Sequence, residues 1–249
     1  MLSGLLFASV SIGAAHAEYF TDKSPAAGAQ PGSLYVPVSP PSGTTASLSE
    51  GWEELTATAY PDNDVTFPGT GTWPAALESL AGDDAGSNGL LKTANGFAGG
   101  PYPASASIYY GGILNAPNTD GGKLTVSASG AGLVSGVKTV VFQIDLGEAW
   151  TYDLYNGTAP VLTYTTSAGT FTAPLAFQSL YKETYNGTVS MPSDTEDLNI
   201  NSRAYQFDLG GESGTITSFS ISFRGVQHAQ LYGAGLQQFN ARTFTSLLR

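Results

Sequence analysis

The sequence predicts an all-β protein built as an antiparallel sandwich. Three features carry that expectation: runs in which apolar and polar residues alternate, turn-forming clusters between those runs, and almost no helical periodicity. A period of two with one polar face is the pattern of half-buried antiparallel strands. The absence of a strand–helix–strand rhythm argues against a parallel sheet.

Along the chain the first segment reads as an export signal. Leu5, Leu6, Phe7, Val10 and Ile12 form a short apolar stretch, and Ala15-His16-Ala17 is a small-residue cleavage site before Glu18. The stretch falls short of the ~20 apolar residues a transmembrane helix needs. No Lys or Arg precedes it, which departs from the usual signal. The expected division is a signal peptide over 1–17, a Pro-rich linker or edge segment over 18–46, a β-sandwich over 47–238 and a tail over 239–249. Pro25, Pro31, Pro37, Pro40 and Pro41 remove backbone donors and fix φ, so the second segment suits a linker better than a core strand. Leu34, Tyr35 and Val36 could add a short edge strand, and the arm as a whole could reach a neighbouring chain by strand addition. One short helix is expected, over Pro74 to Leu80, with Pro in its first turn.

The strand runs follow. Ala104, Ala106, Ile108 and Tyr110 share one face, with Ser105, Ser107 and Tyr109 on the other. Leu124, Val126 and Ala128 alternate with Thr125 and Ser127, and Val140, Phe142, Ile144 and Leu146 alternate with Val141, Gln143 and Asp145. Tyr205, Phe207 and Leu209 alternate with Gln206 and Asp208, and Phe219, Ile221 and Phe223 with Ser218, Ser220 and Ser222. Asn156-Gly157 and Asn186-Gly187 read as turns; each also begins a glycosylation sequon. The segment Phe142-Gln143-Ile144-Asp145-Leu146-Gly147 echoes Tyr205-Gln206-Phe207-Asp208-Leu209-Gly210, as two related hairpin strands would.

Composition narrows the partners. Charged residues are 12% of 249, hydrophobic ones 41%, and the formal net charge is −11. That hydrophobic share supports a packed core. The nine Lys and Arg are scattered, so the basic stripe that nucleic acid or an anionic membrane surface would need is absent. A neutral glycan, a cation or another protein remains open. The chain has no cysteine, which excludes disulfides, thiolate zinc sites and cysteine nucleophiles, and favours a bacterial source for a secreted β protein.

From Ser202 to Leu236 the chain resembles the closing half of jelly-roll domains in secreted bacterial surface proteins, including those of the PEP-CTERM sorting class. The residues that carry the likeness are Tyr205-Gln206-Phe207-Asp208-Leu209, the run Ile216 to Phe223, and His228-Ala229-Gln230-Leu231-Tyr232. It extends back through Ile108-Tyr109-Tyr110 and Val140-Val141-Phe142-Gln143. The resemblance implies a jelly-roll order of strands and a place in the cell envelope or outside the cell. The end Thr245-Ser246-Leu247-Leu248-Arg249 departs from the sorting class, having no Pro-Glu-Pro signal and no apolar span, so membrane sorting by that route is not expected.

Chemistry is sparse. Beyond residue 17 the only histidine is His228, and no G-x-S-x-G elbow accompanies it, so a Ser-His-Asp triad has little to draw on. Paired carboxylates for glycoside hydrolysis could come from Glu50, Glu53, Glu54, Asp145, Glu148, Asp153, Asp208 or Glu212. The alternating acid spacing typical of jelly-roll glucanases is missing from them, which leaves a glycan-active hydrolase or lyase as the alternative reading. Structural calcium has hard oxygen donors in two loop clusters, Asp62-Asn63-Asp64 and the stretch from Asp83 and Asp84 to Asn88. Sugar rings need aromatic faces, and Trp52, Trp73, Trp150, Tyr109, Tyr152, Tyr155 and Tyr232 could supply them. Trp73, Trp150, Tyr152 and Tyr155 lie at loop positions and are the best candidates for ligand contact. The expectation is therefore an exported, non-catalytic envelope or extracellular module, structural or adhesive, with carbohydrate as its most specific ligand.

Overall fold

A computed structural model describes residues 37–52, 55, 90–104, 107–112, 116–190, 195–211 and 214–248. The expected signal peptide, the Leu34–Val36 edge strand, the Pro74–Leu80 helix and both loop clusters of calcium donors (Asp62, Asp64, Asp83, Asp84, Asn88) lie outside the described residues, as does Trp73.

The described strands are β1 (Ser47–Trp52), β2 (Leu90–Asn95), β3 (Tyr102–Pro103), β4 (Ile108–Tyr109), β5 (Asp120–Ser129), β6 (Thr139–Gly147), β7 (Val161–Thr166), β8 (Gly169–Thr172), β9 (Leu175–Ser190), β10 (Thr195–Asp208), β11 (Ser218–Val226) and β12 (Gln230–Phe239). They form two antiparallel sheets. A seven-stranded sheet runs β3-β4-β12-β6-β10-β9, with β1 also paired to β12, and a five-stranded sheet runs β2-β5-β11-β7-β8. Only β3 and β4, β7 and β8, and β9 and β10 follow one another within one sheet; every other pair of consecutive strands lies in different sheets. Sequence neighbours are thereby interleaved across two layers, a jelly-roll-like sandwich.

The core lies between the sheets and follows the alternation. Val140, Phe142, Ile144 and Leu146 of β6 meet Leu124, Val126 and Ala128 of β5 and Phe219, Ile221 and Phe223 of β11, all buried. The rings of Phe142 and Phe223 lie 5.5 Å apart across the gap. Each of these Val, Leu, Ile and Phe side chains stabilises the fold by about 1.5–3 kcal/mol through burial alone. Trp52 sits in this core too, which removes it from any surface role.

Two expectations change. The run 104–110 is not one strand: Pro103 pairs with Ile108, and the Ala104 N–H donates to the Ser107 carbonyl at 2.7 Å, closing a tight hairpin. Small Ala and Ser residues imitate strand alternation in sequence but have weak strand preference of their own. Asn186-Gly187 likewise is not a turn, since it lies inside β9, paired to β10 on either side. A long partner strand overrides the local turn preference. Asn156-Gly157 does turn, with φ of 55° and 62°.

The two outer faces differ. At the centre of the seven-stranded sheet both faces are screened from water, all nine residues of β6 being buried, while the edge strand β9 exposes Leu175 and Leu180. Val141, Ile200, Ala204, Tyr232 and Phe239 are buried outside the inter-sheet core, on the second face. Polar side chains share that face. Asp145 accepts from the Ser202 hydroxyl at 2.6 Å. Gln237 accepts from the Val38 N–H at 2.7 Å and donates to the Val38 carbonyl and to Ser49. Gln206 accepts from the Leu247 N–H at 2.8 Å and donates to the Thr245 carbonyl. The described part of the Pro-rich segment and the C-terminal tail are thus tied to the sheet by glutamines. The five-stranded sheet instead presents half-exposed or exposed hydroxyls that bond sideways, Thr93 to Thr125, Thr125 to Ser222, Thr163 to Ser220 and Thr165 to Thr170.

Buried charges include Glu50, opposite the core residue Leu236, and Lys92. Lys92, on β2 opposite Leu124, is buried, and its ammonium donates to the Gly99 carbonyl at 2.5 Å. Burial lowers its pKa to about 8.

Candidate functional site

The loop between β6 and β7, residues 148–160, carries the sequence-predicted Trp150, Tyr152 and Tyr155, and the fold holds it from several sides. Ala149 and Tyr152 exchange backbone hydrogen bonds at 2.7 and 2.9 Å. The Val226 N–H donates to the Asp153 carbonyl at 3.0 Å, and Leu154 bridges to Gly225. Asn156 and Asn118, both left-handed, bond each other reciprocally at 2.8 and 3.1 Å.

Side chains complete the anchorage. Asn199, Asn201 and Arg203 alternate along β10, so they share one face. The Asn201 amide donates to Glu148 and to Asp153, each at 3.0 Å. Asn199 donates to Glu148 at 3.2 Å, and Arg203 Nε to Asp153 at 2.6 Å. The other Asp153 oxygen accepts from the Leu154 N–H at 2.5 Å. Burial alone would push the Arg203 guanidinium down, but the hydrogen bond and charge of Asp153 outweigh it and leave the pKa raised. The neighbouring Tyr110 is fully buried, and burial, with the Asp153 charge second, raises its phenol well above the ordinary range. Of the eight acids considered for hydrolysis, these hydrogen bonds bring together Glu148 and Asp153. Asp145 lies on the opposite face of the sheet, Asp208 pairs with Arg242, and Glu50 is buried on β1 opposite Leu236. Glu53, Glu54 and Glu212 lie outside the described residues.

Held this way, the start of the loop adopts backbone that side chains rarely tolerate. Trp150 has φ of 50°, Thr151 of 68° and His228, across from them, of 67°. Non-glycine residues in this region carry strain, and such strain gathers where geometry serves function. Its effect is to bring aromatic groups together. The Trp150 ring meets His228 edge-on at 5.1 Å, and the Tyr109 hydroxyl bonds His228 Nδ1 at 2.8 Å. Tyr102 packs edge-on against Tyr109 at 5.6 Å. Gly112 lies where any Cβ would strike the histidine ring. Burial, then the proximity of Tyr109, pushes the Tyr102 phenol up to about 12, and burial raises Tyr109 as well, so both stay neutral at physiological pH. Trp150, Tyr109, Tyr102 and His228 are half-buried, and Tyr152 is 41% exposed. The arrangement offers aromatic edges and faces beside neutral hydrogen-bonding groups, the chemistry that grips an uncharged polyol ring.

The other candidates separate. Tyr155 turns to the five-stranded sheet, where it lines a groove with Asn156, Val161, Ser222, Lys123 and Arg224. Tyr232 is buried. Among the described residues no three acids or histidines converge as metal ligands. Sequence reasoning missed Asn199, Asn201, Arg203 and Tyr102. The first three did leave a signal: an Asn-x-Asn-x-Arg series runs directly into the core-facing Tyr205 and Phe207, so polar and apolar residues share one strand face. Compared with protein-family models, curated proteins and solved structures, the chain matches none of them significantly.

Proposed function

We propose that the protein is a non-catalytic β-sandwich module of the cell envelope or extracellular space, adhesive in role, that binds carbohydrate through the aromatic cluster around Trp150. The supporting observation is the left-handed backbone at Trp150, Thr151 and His228, which sets Trp150, His228 and Tyr109 side by side, with the exposed Tyr152 on the same loop. The non-catalytic reading draws on Glu148 and Asp153. Both carboxylates are buried under amide and guanidinium donors that anchor a loop, which is a poor setting for proton transfer to a substrate.

The test is a broad glycan array probed with the full chain, with the Trp150→Gly variant in parallel. Glycine suits φ of 50°, so that variant removes the ring while relieving the backbone. Binding to a defined glycan that falls by about tenfold or more in the variant, with the variant still folding cooperatively in a thermal melt, supports the proposal. Silence of the folded chain across the array, or binding indifferent to Trp150, overturns it. Cleaved glycan among the products would favour the hydrolase or lyase alternative.

A further inference from the structure

We propose a second ligand site on the same loop, a groove on the outer face of the five-stranded sheet that binds a carboxylated sugar ring, a hexuronic acid residue. It goes beyond the carbohydrate reading above, because it uses other residues and demands a charged ligand.

The argument begins with two cations. Lys123 on β5 and Arg224 on β11 are direct cross-strand partners. Like charges in that position repel and destabilise a sheet. Here they stand together in a chain of net charge −11 with only nine Lys and Arg. Arg224 is part-neutralised: its Nη1 donates to Asp120 at 2.5 Å, and the other Asp120 oxygen accepts from the Gly122 N–H at 2.9 Å. Among the described residues Lys123 has no ion pair and no side-chain hydrogen bond. Asp120, Arg224 and Lys123 together leave one positive charge uncompensated. An anion between the two cations would offset their mutual repulsion.

The surroundings define what carries the anion. The groove encloses about 300 Å³, at the low end of the ~300–1,000 Å³ of small-molecule sites and suited to one ring. Tyr155 forms one wall and Val161 adds apolar surface, while Asn156 and Ser222 supply amide and hydroxyl groups. Asn156 is fixed by its reciprocal bonds to Asn118, so the wall is preorganised. A carboxylate with no ring would leave the Tyr155 wall unused, and a neutral sugar would leave the cations unused. A uronic acid satisfies both, with its carboxylate on Lys123 and the free edge of Arg224 and its ring against Tyr155.

The experiment is a calorimetric titration of the full chain with a galacturonic acid trimer, a neutral galactose trimer and acetate, at low and high salt. The uronate trimer should bind, weaken with salt, and lose about tenfold in affinity in Lys123→Gln, as expected when one charge-assisted hydrogen bond is removed. Tyr155→Leu should weaken the trimer while leaving acetate unchanged. Lys138→Gln, an exposed lysine outside the groove, is the control and should bind as wild type. The proposal is overturned if the folded chain ignores the uronate, if the neutral trimer or acetate binds as tightly, or if Lys123→Gln binds normally. Trp150→Gly separates the two sites. Uronate binding that survives it upholds the groove whatever the array reports, and uronate binding lost with it moves the ligand to the Trp150 cluster.

Discussion

The outer faces of the two sheets both carry polar residues, yet at the centre of one sheet they are buried beneath other chain segments, beside apolar neighbours, and on the other they meet solvent. On the central strands β6, β10 and β12 of the seven-stranded sheet, Gln143, Asp145, Ser202, Gln206 and Gln237 are each no more than 3% exposed. On the five-stranded sheet they are Thr125, Thr163, Thr165, Ser220 and Ser222, half-exposed and bonded to one another across the strands. A buried polar group must find a partner or cost stability, and a glutamine reaches far enough to bond the backbone of a segment lying over it. A hydroxyl is short, so it satisfies its neighbour on the same sheet and leaves room for water. The lesson is that alternation identifies a polar face, while the reach of its side chains separates a face that receives a covering segment from one that stays open. The open sheet is where the groove with Lys123 and Arg224 lies.

The largest effect expected from this contrast is at Gln237. Gln237→Leu strands the Val38 N–H, the Val38 carbonyl and the Ser49 hydroxyl, and urea unfolding should show a loss of about 1–3 kcal/mol. A change within error would mean the covering segment is held by something other than this glutamine, and the contrast would fail there.

A smaller effect comes from the inward face of the five-stranded sheet. The Lys92 pKa is lowered from 10.5 to about 8, so below pH 8 both folded and unfolded chains carry the proton and the fold bears the cost of burying it. Between pH 8 and 10.5 the unfolded state keeps the proton and the folded state has lost it, so stability rises with pH across that window. Lys92→Met lacks this rise. The thermal stability of wild type relative to the variant should therefore climb between neutral pH and pH 10. Tyr102, whose pKa is raised to about 12, acts with the opposite sign above pH 10 in both proteins and cancels in the comparison. A pH-independent difference would mean Lys92 is hydrated rather than buried.

The smallest effect should be at Ser220. Ser220→Ala removes one bond to Thr163 at 3.0 Å, and its cost should stay within about 0.5 kcal/mol in the same urea assay. A loss matching that of Gln237→Leu would erase the distinction between the faces.

Much of the fold was legible in the sequence because strand alternation is local. The core faces of β5, β6 and β11 are those that Leu124, Phe142 and Phe219 announce. The hairpin at 104–107 was not legible, since Ala and Ser alternate without committing to a strand. Nor was the pairing of β9 across Asn186-Gly187, because the turn preference of two residues yields to a long partner strand. Of the candidate site, Trp150, Tyr152 and Tyr155 were readable as loop aromatics. Their division between the aromatic cluster and the groove was not, and neither was the gathering of Tyr102, Tyr109 and His228, which lie far from Trp150 in sequence.

By itself the sequence determined the class of architecture, the inward residues of the central strands and the exclusion of cysteine chemistry, since these depend on composition and on a period of two. The tertiary structure decided which acids and amides meet. Glu148 and Asp153 meet Asn199, Asn201 and Arg203 only because β10 lies beside β6, and Lys123 faces Arg224 only because β11 lies beside β5. Strand order and register are long-range choices, fixed by the packing of whole sheets. Neighbouring residues carry no record of which distant strand will come to lie beside them.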